Sequence, residues 1–566
     1  MSEELDDLPL APSRRKRLYE PVILLDALRS IYNVENSVTE PDLESTAGKS
    51  PRQIFFCFVN KLSQICDNEP RQMFGKSVTA FVILDSGTIE YRFACNQREE
   101  HELETVKNYV TGILDLLNAV TDDQLSDKTF MATVSSRILR RILAFNRRRI
   151  EMYLDALSVR LEFCIASAAE DGTREGETVS QVLRGLEGHI DAALNAPRDS
   201  HDEFTHHAQA LLNTINTHYR PSLENYLKQK TRGNNITRDS PWSEARHALG
   251  RLLSYFIAVK VLIEARQLWP QLFVDFEINW IPSSVPSRDP PDIRRNAKGI
   301  IHRMGRKATM NAYQQHERDL QSHKKLDDLI KKKVHPSQFR PIVHAEVHLL
   351  DSVLRDQAKA DAEGEDPLRF FNEAEFGGYI GSSKPTCLLC HYYFNAHPSG
   401  VQCRSTHGNL YPNWRPPSVF ESDGAEAEEE RDAIVEAMIK DIRNETVRAI
   451  QQRSSTRKRH DSRDTPTNPW RSTVSNSSVA AEADDIDLAS RLGQINLDVR
   501  SANGSVDFSR ETTPDSVDSS RETTPGPIDS SRETTPDSIE IPVSKRNDAE
   551  KDEDVIVFSG RARRNK

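Results

Sequence analysis

Two separate segments of the sequence carry side chains of the types that bind metal ions. His344 and Glu346 stand two residues apart in the first segment, and Cys387 and Cys390 form a C-x-x-C pair in the second. One imidazole and two thiolates suit zinc, and three protein ligands leave the fourth tetrahedral position open for water, as in catalytic zinc sites. Glu346 then stays free to transfer protons. The fold must bring both segments together around one ion.

The same residues also allow a closed, structural zinc site. A fourth ligand could come from His348, one helical turn after His344, or from Cys403 or His407. The chain would then be a non-catalytic, zinc-stabilised interaction or scaffold protein. The H-x-E motif upstream and Pro385 just before the Cys pair favour the catalytic type.

Length and composition limit the class of protein. A chain of 566 residues predicts about two to four domains, and only 37% hydrophobic residues indicate that part of it is unfolded. The net charge of -11 argues against a surface that binds nucleic acid everywhere. Neither a secretory signal nor a membrane span is expected, and seven scattered cysteines favour reduced thiols and a metal site. These patterns predict a cytoplasmic or nuclear protein with no membrane contact.

Ahead of the metal motif, the pattern changes from helical to extended. Residues 1–17 are predicted to be disordered, and their basic run Arg14–Arg17 suits either a nuclear localisation signal or a charged helix start. Residues 55–66 have helical periodicity. Two β-branched stretches, 77–84 and 88–95, flank the turn residues Asp85-Ser86-Gly87 and predict a hairpin that ends at Asn96.

Residues 98–333 are predicted to be mainly helical. Apolar periodicity indicates one helix over 130–168, with a basic face that contacts either phosphates or solvent, and another over 242–269. Residues 272–281 suit one further strand. This region is interpreted as an insertion between the hairpin and His344; in the alternative, the hairpin belongs to a separate N-terminal domain.

The metal ligands are predicted to lie at helix starts. A helix over 343–354 would carry His344 and Glu346 in its first turn, where the helix dipole favours negative charge. A short strand is predicted within 376–383. Cys387 and Cys390 then begin a helix over 388–394, with both thiols on one face.

The residues around the Cys pair carry a family resemblance. The stretch 379–390, with its P-T-C-L-L-C motif, and the stretch 404–414 resemble the OTT-like deaminases, a predicted family of fungi and some intracellular bacteria. The resemblance covers 341–417, with 50–97 as a possible opening half. It departs from the general H-x-E and P-C-x-x-C signature of zinc deaminases because Thr386 stands between Pro385 and Cys387.

The resemblance implies an α/β fold, the α-β-α cytidine deaminase-like sandwich, interrupted by the large helical insertion. It also implies a zinc-dependent hydrolytic deaminase of cytosine or adenine in a nucleotide, nucleoside or nucleic acid, RNA and DNA included. Zn2+ would be bound by His344, Cys387 and Cys390, with Glu346 as the catalytic acid and base. Asn96 is expected to hold the base or sugar, and the candidates to stack on a base are His407, Tyr411 and Trp414.

The predicted domains follow from these patterns. They are a disordered N-terminus (1–17), the opening helices and hairpin of the deaminase fold (18–97), the insertion (98–333), the zinc-binding core (334–453) and a disordered tail (454–566). The tail repeats Ser-Arg-Glu-Thr-Thr-Pro three times and suggests phosphorylation by proline-directed kinases or simple repeat expansion. Its segment Val555–Phe558, next to acidic residues, resembles motifs that bind the ubiquitin-like modifier SUMO by strand addition.

Overall fold

A computed structural model describes residues 7–32, 46, 48–69, 75–218, 223–231, 240–287, 292–305, 307–366 and 368–453. All of them belong to one compact unit, Met1–Asp498. The predicted disordered tail, its Ser-Arg-Glu-Thr-Thr-Pro repeats and the segment Val555–Phe558 lie outside the described residues.

The described chain is mostly helical, with short strands at its centre. Its helices are α1 (Pro12–Ile31), α2 (Pro51–Ile65), α3 (Glu100–Asn118), α4 (Asp122–Ser126), α5 (Lys128–Phe145), α6 (Arg147–Glu170), α7 (Arg174–Asn195), α8 (His201–His218), α9 (Glu224–Lys230), α10 (Pro241–Leu268), α11 (Ala297–Met304), α12 (Lys307–Arg318), α13 (Leu326–Lys333), α14 (Ala345–Glu363), α15 (Glu373–Phe376), α16 (Leu388–Ala396) and α17 (Gly424–Gln452). Its strands are β1 (Asp7–Leu8), β2 (Thr79–Asp85), β3 (Ile89–Cys95), β4 (Phe276–Trp280), β5 (Arg369–Phe370), β6 (Tyr379–Ser382), β7 (Gln402–Cys403) and β8 (Val419–Phe420).

One mixed sheet organises these elements, in the order β4-β3-β2-β6-β7, with β5 also pairing to β2. The predicted hairpin is confirmed as the antiparallel pair β2–β3, and β6 pairs antiparallel with β2 at Ala80–Ser382 and Phe81–Gly381. Segments far apart in sequence therefore share one sheet, as the insertion interpretation requires. The predicted strand in 272–281 is confirmed as β4, which lies parallel to β3.

Side-chain alternation along β2 supplies two separate cores, one on each face of the sheet. Phe81 and Ile83 join a core built with α2 and the helices of 100–268, while Ala80, Val82 and Leu84 join a core built with α1, α14, α16 and α17. Successive residues of a strand point to opposite faces, so a strand buried on both sides is apolar throughout. The sheet is thus covered by helices on both faces.

Two sequence predictions are corrected here. The predicted single helix over 130–168 is two helices, α5 and α6, which are separated at Asn146. The Asn146 side-chain amide donates hydrogen bonds to the carbonyl oxygens of Ile65 and Ile142 at this break. The predicted disorder of 1–17 is wrong for residues 7–17, which form β1 and the first turns of α1. There Arg14 and Arg17 pair with Asp432 and Glu436 of α17, which fixes this basic run on a folded helix.

Gly381 sets the close approach of α2 to β6. A Cβ atom at this position would lie 2.7 Å from the Val59 carbonyl carbon and 2.9 Å from the Asn60 nitrogen, both backbone atoms that cannot swing away. We therefore expect Gly381→Ala to lower the free energy of unfolding by about 1–3 kcal/mol, the usual cost of overpacking. Gly188→Ala, in α7 with open space around it, should leave stability unchanged or raise it slightly. Equal urea midpoints for both variants would contradict this packing.

No helix in the described part of the chain combines the length and apolar character needed to cross a membrane.

Candidate metal centre

The metal site forms where the N termini of α14 and α16 meet. His344 is the N-cap residue of α14, and Cys387 is the N-cap of α16, where its sulfur accepts a hydrogen bond from the Cys390 N–H at 3.4 Å. The predicted placement of both motifs at helix starts is thereby confirmed. The positive ends of both helix dipoles favour ionised thiols at this point.

Three ligand atoms converge on a common centre. The His344 Nδ1 atom lies 3.5 Å from the Cys387 Sγ and 3.4 Å from the Cys390 Sγ, and all three atoms lie within 4.8 Å of one another. In a tetrahedral site with zinc–sulfur and zinc–nitrogen bonds of ordinary length, the nitrogen and sulfur ligand atoms lie about 3.6 Å apart. A single Nδ1 facing two sulfurs at this distance is the arrangement that a shared ion would impose. The donor set therefore fits zinc.

The proposed closed site lacks its fourth ligand in the described part of the chain. The only metal-binding group found there consists of His344, Cys387 and Cys390, and neither Cys403 nor His407 belongs to it. His348 points elsewhere, because its Nε2 contacts the Pro282 carbonyl oxygen at 3.0 Å. The described residues therefore bring together three ligand atoms, as the catalytic type of site requires, and they give no support to a Cys2His2 site.

We expect His348→Ala to retain one zinc per chain, because the His348 ring is hydrogen-bonded to the Pro282 carbonyl oxygen and is not part of the candidate ligand group. Metal analysis of the purified variant measures this directly. His344→Ala is the matched comparison on the same helix and should lose the metal. Loss of zinc from both variants to the same degree would restore His348 as a ligand.

The ring of the candidate ligand His344 has contacts on more than one side. The Nδ1 atom is directed at the two sulfurs, and the backbone of Asn413 also forms a hydrogen bond with the ring. Metal-binding histidines commonly form a hydrogen bond besides the metal bond, which fixes tautomer and ring angle. The interposed Thr386 has a comparable role for the cysteine loop, because it exchanges backbone hydrogen bonds with Ser405 and His407.

Glu346 lies next to this group of three residues but is not part of it. The residue is only 3% exposed, and its Oε2 atom is buried without a hydrogen-bond partner in the described chain. Burial raises the pKa of its carboxyl group, and the charge of His344 opposes that rise. A buried acceptor without a partner is costly, so this oxygen is suited to a water molecule or a polar group of a ligand.

The two thiols have opposite electrostatic shifts. Burial opposes ionisation of Cys387, but hydrogen bonding from Cys390 and the neighbouring His344 hold its pKa well below the usual value. Burial, together with the hydrogen bond to Cys387, raises the pKa of Cys390 well above it. A divalent cation would stabilise both thiolates, so metal binding should release protons.

The four residues predicted to contact the base or sugar have different surroundings. Asn96 lies beside the metal motif, where its Oδ1 accepts the Ala345 N–H at 2.7 Å. His407 is buried, accepts the Asn409 N–H at its Nδ1, and meets the half-buried Tyr411 edge to face. Trp414 is fully buried and packs near Tyr393, so it presents no free ring face and its predicted stacking on a base does not fit this placement. For Asn96, His407 and Tyr411, substrate contact stays a prediction.

Two residues that contact the metal motif, Asn413 and Ser284, were not predicted from the sequence. Asn413 contributes a backbone atom, which no side-chain motif can reveal. Ser284 contributes its hydroxyl to the Val343 N–H at 3.0 Å, from a loop 59 positions upstream. A serine in a proline-rich loop carries no sequence signal for such a contact.

The comparisons with known proteins agree with this site. The family model of the OTT_1508-like deaminases matches residues 343–418, which include all three candidate ligands and Glu346. Neither a curated protein nor a solved structure gives a significant match. The similarity to the OTT_1508-like deaminases thus covers residues 343–418, the segment that contains the candidate metal site.

Proposed function

We propose that the protein is a zinc-dependent hydrolytic deaminase acting on cytosine or adenine in a nucleotide, nucleoside or nucleic acid. The observation that carries this proposal is the combination of three converging ligand atoms with a buried Glu346 oxygen that has no partner in the described chain. A purely structural site would have a fourth protein ligand. The match to a deaminase family model supports the same conclusion.

In the proposed reaction the amino group of the base is replaced by oxygen from water, and ammonia leaves. Zinc, when bound, supplies a Lewis acid that brings the pKa of water towards neutrality. Glu346 takes a proton from the attacking water and passes it to the ring nitrogen next to the reacting carbon, and then assists the departure of ammonia. His344, Cys387 and Cys390 would hold the ion. Glu346 is buried, which would keep bulk water away from the proton being transferred.

The surrounding fold supports a finer proposal about architecture. We propose that β3-β2-β6-β7, with helices on both faces, forms the cytidine deaminase-like α-β-α sandwich, built from 18–97 and 334–453. Support comes from the pairing of β2 with β6 and from the two cores on opposite faces of the sheet. In this arrangement 98–333 is the insertion, and its strand β4 extends the same sheet.

Product analysis by mass spectrometry tests the activity and identifies the substrate class. The zinc-loaded protein is incubated with a panel of nucleosides, nucleotides, single-stranded DNA and single-stranded RNA that contain cytosine or adenine. Deamination should convert cytosine to uracil or adenine to hypoxanthine in at least one member and release ammonia. Turnover of none of them by a protein that binds zinc would favour the non-catalytic interaction module instead.

A further inference from the structure

We infer that Asn96 and Ser284 are positioning residues that hold the metal ligand His344 from both sides. The Asn96 Oδ1 accepts the N–H of Ala345, the residue after the ligand, at 2.7 Å. The Ser284 Oγ accepts the N–H of Val343, the residue before the ligand, at 3.0 Å. Both side chains come from outside the metal motif, so they fix its backbone independently of the ion. The inference rests on the proposed role of His344 as a zinc ligand.

His344 is both a candidate metal ligand and the N-cap residue of α14. A helix leaves its first N–H groups without intrahelical partners, and the side chain of the N-cap residue normally satisfies one of them. His344 is the N-cap of α14 but makes no side-chain capping bond, because its ring is directed at Cys387 and Cys390. Ala345 is the first residue of α14, so its buried N–H has no acceptor within the helix, and Asn96 supplies one.

Asn96 is itself held in a defined orientation. It is 6% exposed, and its Nδ2 donates to the Gly75 carbonyl oxygen at 2.7 Å, which directs Oδ1 towards Ala345. Its own backbone N–H continues the hairpin by bonding to the Val78 carbonyl oxygen. Asn96, directly after β3, thus places its Oδ1 atom at the start of α14.

Ser284 lies in the loop 281–287, which leaves β4 and runs along the metal motif. The Pro282 carbonyl oxygen contacts His348, the Ser284 hydroxyl contacts Val343, and the Ser287 N–H donates to the Pro341 carbonyl oxygen. Three contacts spaced along one loop align it with the segment 341–348. Because β4 is paired in register with β3, the loop starts from a fixed position in the sheet.

This arrangement gives the strand β4 and its exit loop a direct role at the metal site. The last strand of the predicted insertion joins the sheet, and its loop supplies one of the two acceptors beside His344. Loss of either acceptor would leave a buried N–H unsatisfied and let the ligand backbone shift. Partners that orient a metal ligand typically contribute 10- to 100-fold to metal affinity.

The test is the zinc dissociation constant of the full chain, measured by competition with a chromogenic chelator. We expect Asn96→Ala and Ser284→Ala each to weaken zinc binding by about 10- to 100-fold. Asn96→Asp retains the acceptor oxygen and should bind zinc more tightly than Asn96→Ala. Ser283→Ala is the matched control from the same loop, because the Ser283 hydroxyl accepts the N–H of Arg98 at 2.9 Å and not an N–H next to His344. This variant should bind zinc like wild type.

The outcomes separate this inference from the proposed function. Wild-type affinity in both Asn96→Ala and Ser284→Ala, or equal weakening in Ser283→Ala, would overturn the positioning role. Circular dichroism of each zinc-saturated variant establishes that the fold is retained. Failure of the wild-type chain to bind zinc would instead remove the proposed function on which the inference rests.

Discussion

Glu346→Gln is expected to reduce deamination by about 10²–10⁴-fold, the usual contribution of a positioned acid and base. Glutamine keeps the size and polarity of the side chain but can neither accept nor return the proton. The side chain is buried beside the ligands and is not one of them, so the variant should retain one zinc per chain. Rates are measured with the best substrate of the nucleobase panel, and zinc is measured on the same preparation.

Glu363→Gln provides the control, because it makes the same chemical change at the exposed, far end of α14. It should leave both the rate and the zinc content unchanged. Full activity in zinc-loaded Glu346→Gln would exclude this carboxylate from proton transfer. Loss of zinc together with activity would indicate that Glu346 contributes to binding the ion.

Cys390→Ala is expected to abolish stoichiometric zinc binding and the stabilisation that comes with it. The sulfur is fully buried, 3.4 Å from the His344 Nδ1, and its removal leaves two ligand atoms. We expect the affinity to fall by more than the roughly 100-fold that loss of an outer partner can cause. Ligand present at about 1,000 times its dissociation constant stabilises a fold by about 4 kcal/mol, so wild type should melt at a higher temperature with zinc than with a chelator.

In Cys390→Ala that difference in melting temperature should disappear. Cys403→Ala is the control, since Cys403 lies in the neighbouring strand β7, opposite Ile380, and outside the ligand group. It should keep the zinc-dependent shift. A shift lost in Cys403→Ala and kept in Cys390→Ala would reassign the ligand set.

Short-range patterns predicted much of this molecule. The β-branched stretches around Gly87 predicted the β2–β3 hairpin, because alternation and a glycine with positive φ specify a turn between two strands. The spacing of His344, Cys387 and Cys390 predicted their chemistry, because the ligand types and a C-x-x-C pair at a helix start follow from local sequence. The structure brings the three atoms together as expected.

Long-range contacts were beyond these patterns. Asn96 and Ala345 are 249 positions apart, so no periodicity relates the amide to the backbone it contacts. The predicted basic face over 130–168, in contact with phosphates or solvent, is wrong at two of its arginines. Arg147 and Arg149 are buried; Arg147 donates to the Ala196 carbonyl oxygen, and Arg149 pairs with Asp67. The burial of Trp414 depends likewise on elements distant in sequence, including Tyr19, which donates to its carbonyl oxygen.

X-ray absorption at the zinc edge of the full chain would identify the atoms that bind the ion. Three protein ligands and an open position predict two sulfur atoms at about 2.3 Å and two lighter atoms at about 2.0–2.1 Å, with scattering from a single imidazole. The spectrum of His348→Ala should be identical. A second imidazole or a third sulfur would close the site and contradict the account of a catalytic metal centre.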